Sequence, residues 1–211
     1  MKTNMALWPG VLLLSVSTLV FAAAPEPEAL IKNTVEEVLA VIKQDKDIRA
    51  GNQKKVVELV DAKVLPHFNF TRMTQLAVGK HWRTATPEQK KSLETEFRNL
   101  LVRTYTKAFT VYRDQVVEVK PVKMAEGATE VTVKTVILKP GSSSIPVNYE
   151  MEKTADGWKV FDLAIEGVSL VTNYRNSFSE KIQQMGIDGL IKSLAENNQA
   201  ATKAGAKAGN K

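Results

Sequence analysis

Four side chains of this 211-residue chain could belong to a hydrolytic site: Ser169, Asp162, His67 and His81. Gly167-Val168-Ser169-Leu170-Val171 begins like the G-x-S-x-G turn that presents a nucleophilic serine. Val171 stands where the second glycine belongs, however, so Ser169 reads better as the cap of a following helix. Asp162 lies in an apolar strand and has the chemistry of a general base, but no acid or nucleophile is spaced to work with it. A carboxylate hydrogen-bonded within the fold is the simpler reading. His67 and His81 are the chain's two histidines, and there is no cysteine to join them in a compact metal site. Beside Pro66 and Trp82 they read as partly buried packing residues. No phosphate-binding loop or dinucleotide fingerprint is present, so no cofactor is expected.

Basic residues give no better case for nucleic acid. The chain carries a formal net charge of +6, yet the pairs Lys54-Lys55 and Lys90-Lys91 are interleaved with Glu58, Glu88 and Glu94. These are solvated helix faces rather than a continuous basic stripe. A modest positive charge is compatible with anionic lipid head groups as well as with simple solubility.

The elements that must carry any site divide the chain in two. Ile31, Val35, Val38, Leu39 and Ile42 recur at helical spacing, as do Val56, Val57, Val60 and Val64. Pro66 should end the second of these helices at about Leu65. A short helix from about Thr71 should stop near Gly79. The next helix has the clearest start: Thr86 as N-cap, Pro87 at the first helical position, and Gln89 completing a capping box. Its apolar stripe is Leu93, Phe97, Leu100, Leu101, Tyr105 and Ala108. After about Tyr112 the period changes to two. Val117 and Val119, then Val131 to Ile137, then Ile145, Val147, Tyr149 and Met151 alternate with polar neighbours, and Trp158 to Asp162 follows as a further strand. Glu126-Gly127, Pro140-Gly141 and Asp156-Gly157 supply the turns. About four antiparallel strands with one apolar face, covered by helices, make an α+β fold. Two helical segments close it, Leu170 to Gln184 and Asp188 to Asn197, with Asp188 as N-cap.

The ends read differently from the body. Lys2, the apolar stretch Ala6 to Phe21 and the small residues after it read as a signal peptide, with residues 1–22 removed on export. From Asn198 onward no apolar side chain larger than alanine occurs, so residues 198–211 are expected to be a disordered basic tail. The domain between them is expected to span residues 23–197.

Three ordered blocks together resemble one family. They are Val64-Leu65-Pro66-His67-Phe68 through Gly79-Lys80-His81-Trp82; Ala85-Thr86-Pro87-Glu88-Gln89 through Phe97, Leu101 and Tyr105; and Trp158 through Asp162, Gly167, Tyr174 and Phe178. Gly186-Ile187-Asp188-Gly189-Leu190 also fits. The pattern resembles the MlaC family of periplasmic phospholipid carriers, also known from toluene-tolerance operons. The resemblance implies a protein of the periplasm that holds glycerophospholipid acyl chains between its sheet and its helices. It also implies exchange of lipid between an outer-membrane lipoprotein complex and an inner-membrane ABC transporter complex, maintaining outer-membrane lipid asymmetry. Combined with the alternation, it assigns Val147, Tyr149 and Met151 to the sheet-side wall of a pocket. Phe97, Leu101 and Tyr105 form the helical wall, with Leu170 and Tyr174 near the mouth. A two-chain lipid needs a pocket of roughly 1,000 Å³. Asn69 departs from the pattern, since an acidic residue is expected after Phe68. The alternative reading is a periplasmic chaperone sheltering apolar segments of unfolded proteins, with a lipid hydrolase a distant third.

Overall fold

The apolar periodicity places six α-helices and five strands among the described residues of a computed structural model, which are 26–111, 115–138, 141 and 143–208. The expected signal peptide lies outside them. Helices α1 (Pro27–Gln44), α2 (Lys46–Arg49), α3 (Gln53–Lys63), α4 (Phe70–Val78) and α5 (Pro87–Val111) precede the sheet. The strands are β1 (Val116–Val119), β2 (Glu130–Leu138), β3 (Ile145–Thr154), β4 (Gly157–Ile165) and β5 (Val168–Ser169), and α6 (Leu170–Ala208) closes the chain. None of the described helices is long and apolar enough to cross a membrane.

Local chemistry sets the helix boundaries. The Thr86 N–H donates to Gln89 Oε1 at 3.0 Å and the Gln89 N–H to Thr86 Oγ1 at 3.2 Å, the reciprocal pair of a capping box. Gly79, at φ 62°, terminates α4 as expected. Helix α3 stops at Lys63, slightly before the expected Leu65, and Leu65–His67 tightens into a single 3-10 turn around Pro66. The single-turn α2 was not foreseen; Asp45 Oδ1 caps it by accepting from the N–H groups of Asp47 and Ile48.

The strands form an antiparallel meander in the order β1-β2-β3-β4-β5. The register lines up Val131, Met151 and Val160 on one rung, Val133, Tyr149 and Leu163 on the next, and Thr135, Val147 and Ile165 on the third. These rungs are the apolar face read from the alternation. The intervening rungs are polar: Thr132, Glu150 and Asp162, then Glu130, Glu152 and Lys159. Between Glu150 and Met151 the pairing shifts, leaving Phe161 as an extra residue on β4, a β-bulge. The fifth strand, two residues long, is too short to show alternation.

Helix α6 agrees with expectation at its middle and departs from it at its end. Gly186, at φ 75° and ψ 177°, breaks it into the two expected segments, a geometry that a side chain would strain. Beyond it the backbone stays helical to Ala208, where a disordered tail was expected from residue 198. Asn198 is buried, and its amide donates to the main-chain carbonyl and the carboxylate of Glu96 at 3.0 and 2.7 Å. A polar side chain that docks on a neighbouring helix leaves no trace in apolar periodicity, so the expected boundary fell short. Asp188, the expected cap of the second segment, accepts from the Gln89 side chain at 2.8 Å and so ties it to the start of α5.

Candidate functional site

Among the described residues the buried apolar side chains form three clusters, two of which share a seam. The helical cluster joins Met73, Ala77, Leu93, Phe97, Leu101, Leu170, Val171, Phe178 and Leu190, with Tyr105, Tyr174 and Ile165 packed partly buried against it. The sheet cluster joins Ile31 of α1 to Val133, Met151, Trp158 and Val160, with Tyr149 partly buried at its margin. Phe68 and Leu163 pack against both clusters. They mark the line along which the helices meet the sheet.

The eight residues expected to wall a pocket fall on the two sides of this seam. Phe97, Leu101, Tyr105, Leu170 and Tyr174 come together on the helical side, and Tyr149 and Met151 on the sheet side. Val147 is buried on the neighbouring rung, between Thr135 and Ile165. They are not equivalent. Phe97 has no exposed surface and is wedged edge-on between Tyr174 and Phe178, each ring centroid 5.2 Å away. Met151 is likewise sealed. Both are packed core.

The two tyrosines Tyr105 and Tyr149 are different. Burial pushes the Tyr149 phenol up, partly offset by a hydrogen bond with the Thr135 side chain, yet the residue retains accessible surface. Burial also raises Tyr105, helped by neighbouring Tyr174, and it too retains surface. Both rings are thus partly covered rather than sealed. Leu163 and Ile165, on the same rungs as Tyr149 and Val147, are also incompletely covered. The apolar face is therefore only partly closed by the helices.

Two clefts lie elsewhere. One of about 410 Å³ opens between α1 and β1, against Lys32, Val35, Val117 and Pro121. The other, about 360 Å³, follows α1 at Leu39 and Lys43. None of the eight wall residues borders either.

Two of the hydrolase candidates, Ser169 and Asp162, are engaged in capping contacts. Ser169 donates to Asp162 Oδ2 and accepts from the Thr172 N–H at 3.0 Å, capping α6. Asp162 Oδ1 accepts from the N–H groups of Leu163 and Val171 at 2.8 and 3.1 Å. Burial first, and then the Lys159 charge, hold His67 below its ordinary value. His81 Nε2 is buried without a hydrogen-bond partner. No cluster of metal-ligating side chains occurs among the described residues.

What sequence reading missed is the polar join between helices and sheet. Asn69 caps α4 by accepting from the Arg72 N–H at 3.0 Å, its own N–H donates to the Val160 carbonyl at 2.8 Å, and its side-chain amide donates to Glu152 at 2.8 Å. The position where an acidic residue was expected thus uses both an acceptor and a donor, and a carboxylate has no donor to offer Glu152. Phe68 bridges Val160 in parallel, extending the free margin of β4 by one residue. The N-cap itself was readable, since asparagine before Phe70 starts a helix well. Its sheet partners, distant in sequence, were not.

The MlaC protein family model matches residues 32–196. The chain is 26% identical over 196 residues to the toluene tolerance protein ttg2D of Pseudomonas putida, covering 90% of this chain and 91% of that protein. It is 24% identical to the intermembrane phospholipid transport system binding protein MlaC of Haemophilus influenzae, covering 87% of this chain and 91% of that protein. Its fold is similar to a solved phospholipid-binding protein from Ralstonia solanacearum in complex with a phospholipid: TM-score 0.79 and 39% identity over 84% of this chain and 99% of that one.

Proposed function

The chain belongs to the MlaC protein family, and from that premise we propose that it is a periplasmic phospholipid carrier whose cargo lies between the sheet and the helical layer. The observation that carries this reading is the incompletely covered apolar face of the sheet, where Tyr149, Leu163 and Ile165 keep accessible surface against the helical layer. Their relatives point the same way, through a phospholipid-bound neighbour and a curated transport protein. Leu163, Ile165 and Val147 supply the apolar surroundings on the sheet side, and Leu101 and Tyr174 on the helical side. Phe97 and Met151, though assigned to the walls from sequence, act as the packed backing behind them.

The physical need for such a shelter is large. Each methylene exposed to water costs about 0.8 kcal/mol, so roughly 30 methylenes of two acyl chains cost on the order of 25 kcal/mol. A partly closed apolar face removes that surface from water without any covalent step. The carrier is not an enzyme in this reading, since Ser169 and Asp162 are both engaged in capping. Lipid would pass between an outer-membrane lipoprotein complex and an inner-membrane ABC transporter complex. Residues 1–22 act as the export signal, and the folded body extends past residue 197 to include Asn198.

Protein purified from bacteria without added ligand should yield glycerophospholipid on organic extraction, with little head-group preference, because the tails provide most of the buried area. Folded protein that yields no phospholipid by mass spectrometry overturns the proposal.

A further inference from the structure

The join between α4 and the sheet contains an ion cluster. Arg72, in the first turn of α4, donates through Nη1 to Glu152 Oε2 at 2.5 Å and through Nη2 to Glu130 Oε1 at 2.6 Å. Its guanidinium carbon lies 3.6 Å from the centroid of Phe161, the bulged residue of β4. Glu152 also accepts from Asn69, which caps the same helix. One side chain thereby fastens α4 to three adjacent strands: to β2 and β3 by charge and to β4 by stacking. Arg72 and Glu152 are mostly covered, so solvent and salt screen this contact less than an ordinary surface pair.

Its place along the seam gives it consequence. Phe68, which packs against both clusters, is four residues before Arg72, and the Phe68 and Phe70 rings stack at 5.8 Å. Glu130, Glu152 and Lys159 lie at one end of the sheet; Leu138, Ile145, Ile165 and Val168 lie at the other. Lys159 reinforces the first end by donating to the Pro66 carbonyl at 2.7 Å. At the opposite end the strand residues are apolar and partly or largely exposed.

We infer that Arg72 is a positioning residue for lipid exchange: it pins α4 to the sheet at this end of the seam, while β5 and the Ser169–Asp162 contacts anchor α6 separately, so that the lipid leaves slowly. This inference rests on the carrier reading. Removing the pin frees α4 to part from the sheet, and release quickens. Because Arg72 binds Glu130 and Glu152 as a unit, removing both of its carboxylate partners has about the same effect as removing Arg72.

The test uses the full chain loaded with a phospholipid carrying a pyrene-labelled acyl chain, mixed with excess phosphatidylcholine vesicles, and follows release by fluorescence alongside thermal melting. Arg72→Met should release lipid about tenfold faster than the wild type, the change given by 1.4 kcal/mol of lost closed-state stability. Glu130→Gln with Glu152→Gln should reproduce it, and carries the test if the arginine variant does not fold. Arg98→Met removes an ion pair to Asp61 of 2.8 Å that joins α5 to α3 away from the seam. It should leave release unchanged even where melting shifts. Unaltered release in the Arg72 variant, or an equal rise in the Arg98 variant, overturns the inference by reducing Arg72 to ordinary stabilisation. A wild type that takes up no pyrene lipid instead overturns the carrier reading itself.

Discussion

The two ends of the sheet are built from different chemistry. At one end Arg72, Asn69 and Lys159 make polar contacts to β2, β3, β4 and the Pro66 carbonyl, and Trp158 is buried beside Ile31. At the other end Val168, on the outermost strand β5, is 58% exposed, with Ile137, Ile145 and Ile165 of the same face partly covered beside it. Directional polar contacts hold one end in a fixed geometry, whereas contacts between apolar side chains part and re-form without leaving unpaired groups behind. One sheet can therefore be held by directional contacts at one end and yield more readily at the other.

The largest expected effect tests the yielding end. Val147→Glu places a carboxylate one rung from Tyr149, on the side toward Ile165. If the space there is a cavity that opens to water, the carboxylate remains hydrated once lipid is gone, and the variant folds but carries no phospholipid. Circular dichroism and lipid extraction on one preparation check both halves. An unfolded variant assigns Val147 to packed core, and a folded one with a full lipid load removes it from the pocket.

A smaller effect contrasts the two ends directly. Trp158→Ala at the fastened end should cost about 3–5 kcal/mol, because it empties a closed site. That lowers Tm by roughly 10 °C in a protein of this size. Val168→Ser at the open end should change stability by no more than about 0.5 kcal/mol. Comparable losses in thermal melts of the two variants would erase the distinction.

This contrast also explains what could be read from the sequence. The helices and the apolar face were legible because their signals are local: a capping box spanning Thr86 to Gln89, and valines alternating along β2 and β3. The strand alternation correctly set Tyr149, Val147 and Met151 on one face. It could not tell that Met151 is sealed while Tyr149 keeps accessible surface, since both positions call for apolar side chains. The fastened end was illegible for another reason. Arg72 finds its carboxylates 58 and 80 residues away, and no period in the chain reports such a pairing. Asn198 was misread likewise, because its partner Glu96 is 102 residues distant.

The smallest expected effect is a pH dependence at the fastened end. Burial and the Lys159 charge hold His67 below its ordinary value of 6.5, so the unfolded chain binds the proton more readily than the folded one. Its contribution is complete above that value and declines as pH falls below it toward the lowered folded value. Melts from pH 7.5 to 5 should show a modest decline that His67→Gln reduces. An unchanged slope in the variant would place the titrating group elsewhere.

The central claim is that phospholipid occupies the space beside Tyr149, between the sheet and the helical layer. A crystal structure of the protein with its co-purified lipid tests it most directly. Acyl density within about 4.5 Å of the Tyr149 ring and of Leu163 is the expected result. Acyl density confined to the cleft between α1 and β1, against Val35 and Val117, with the space beside Tyr149 filled by protein side chains, would contradict it.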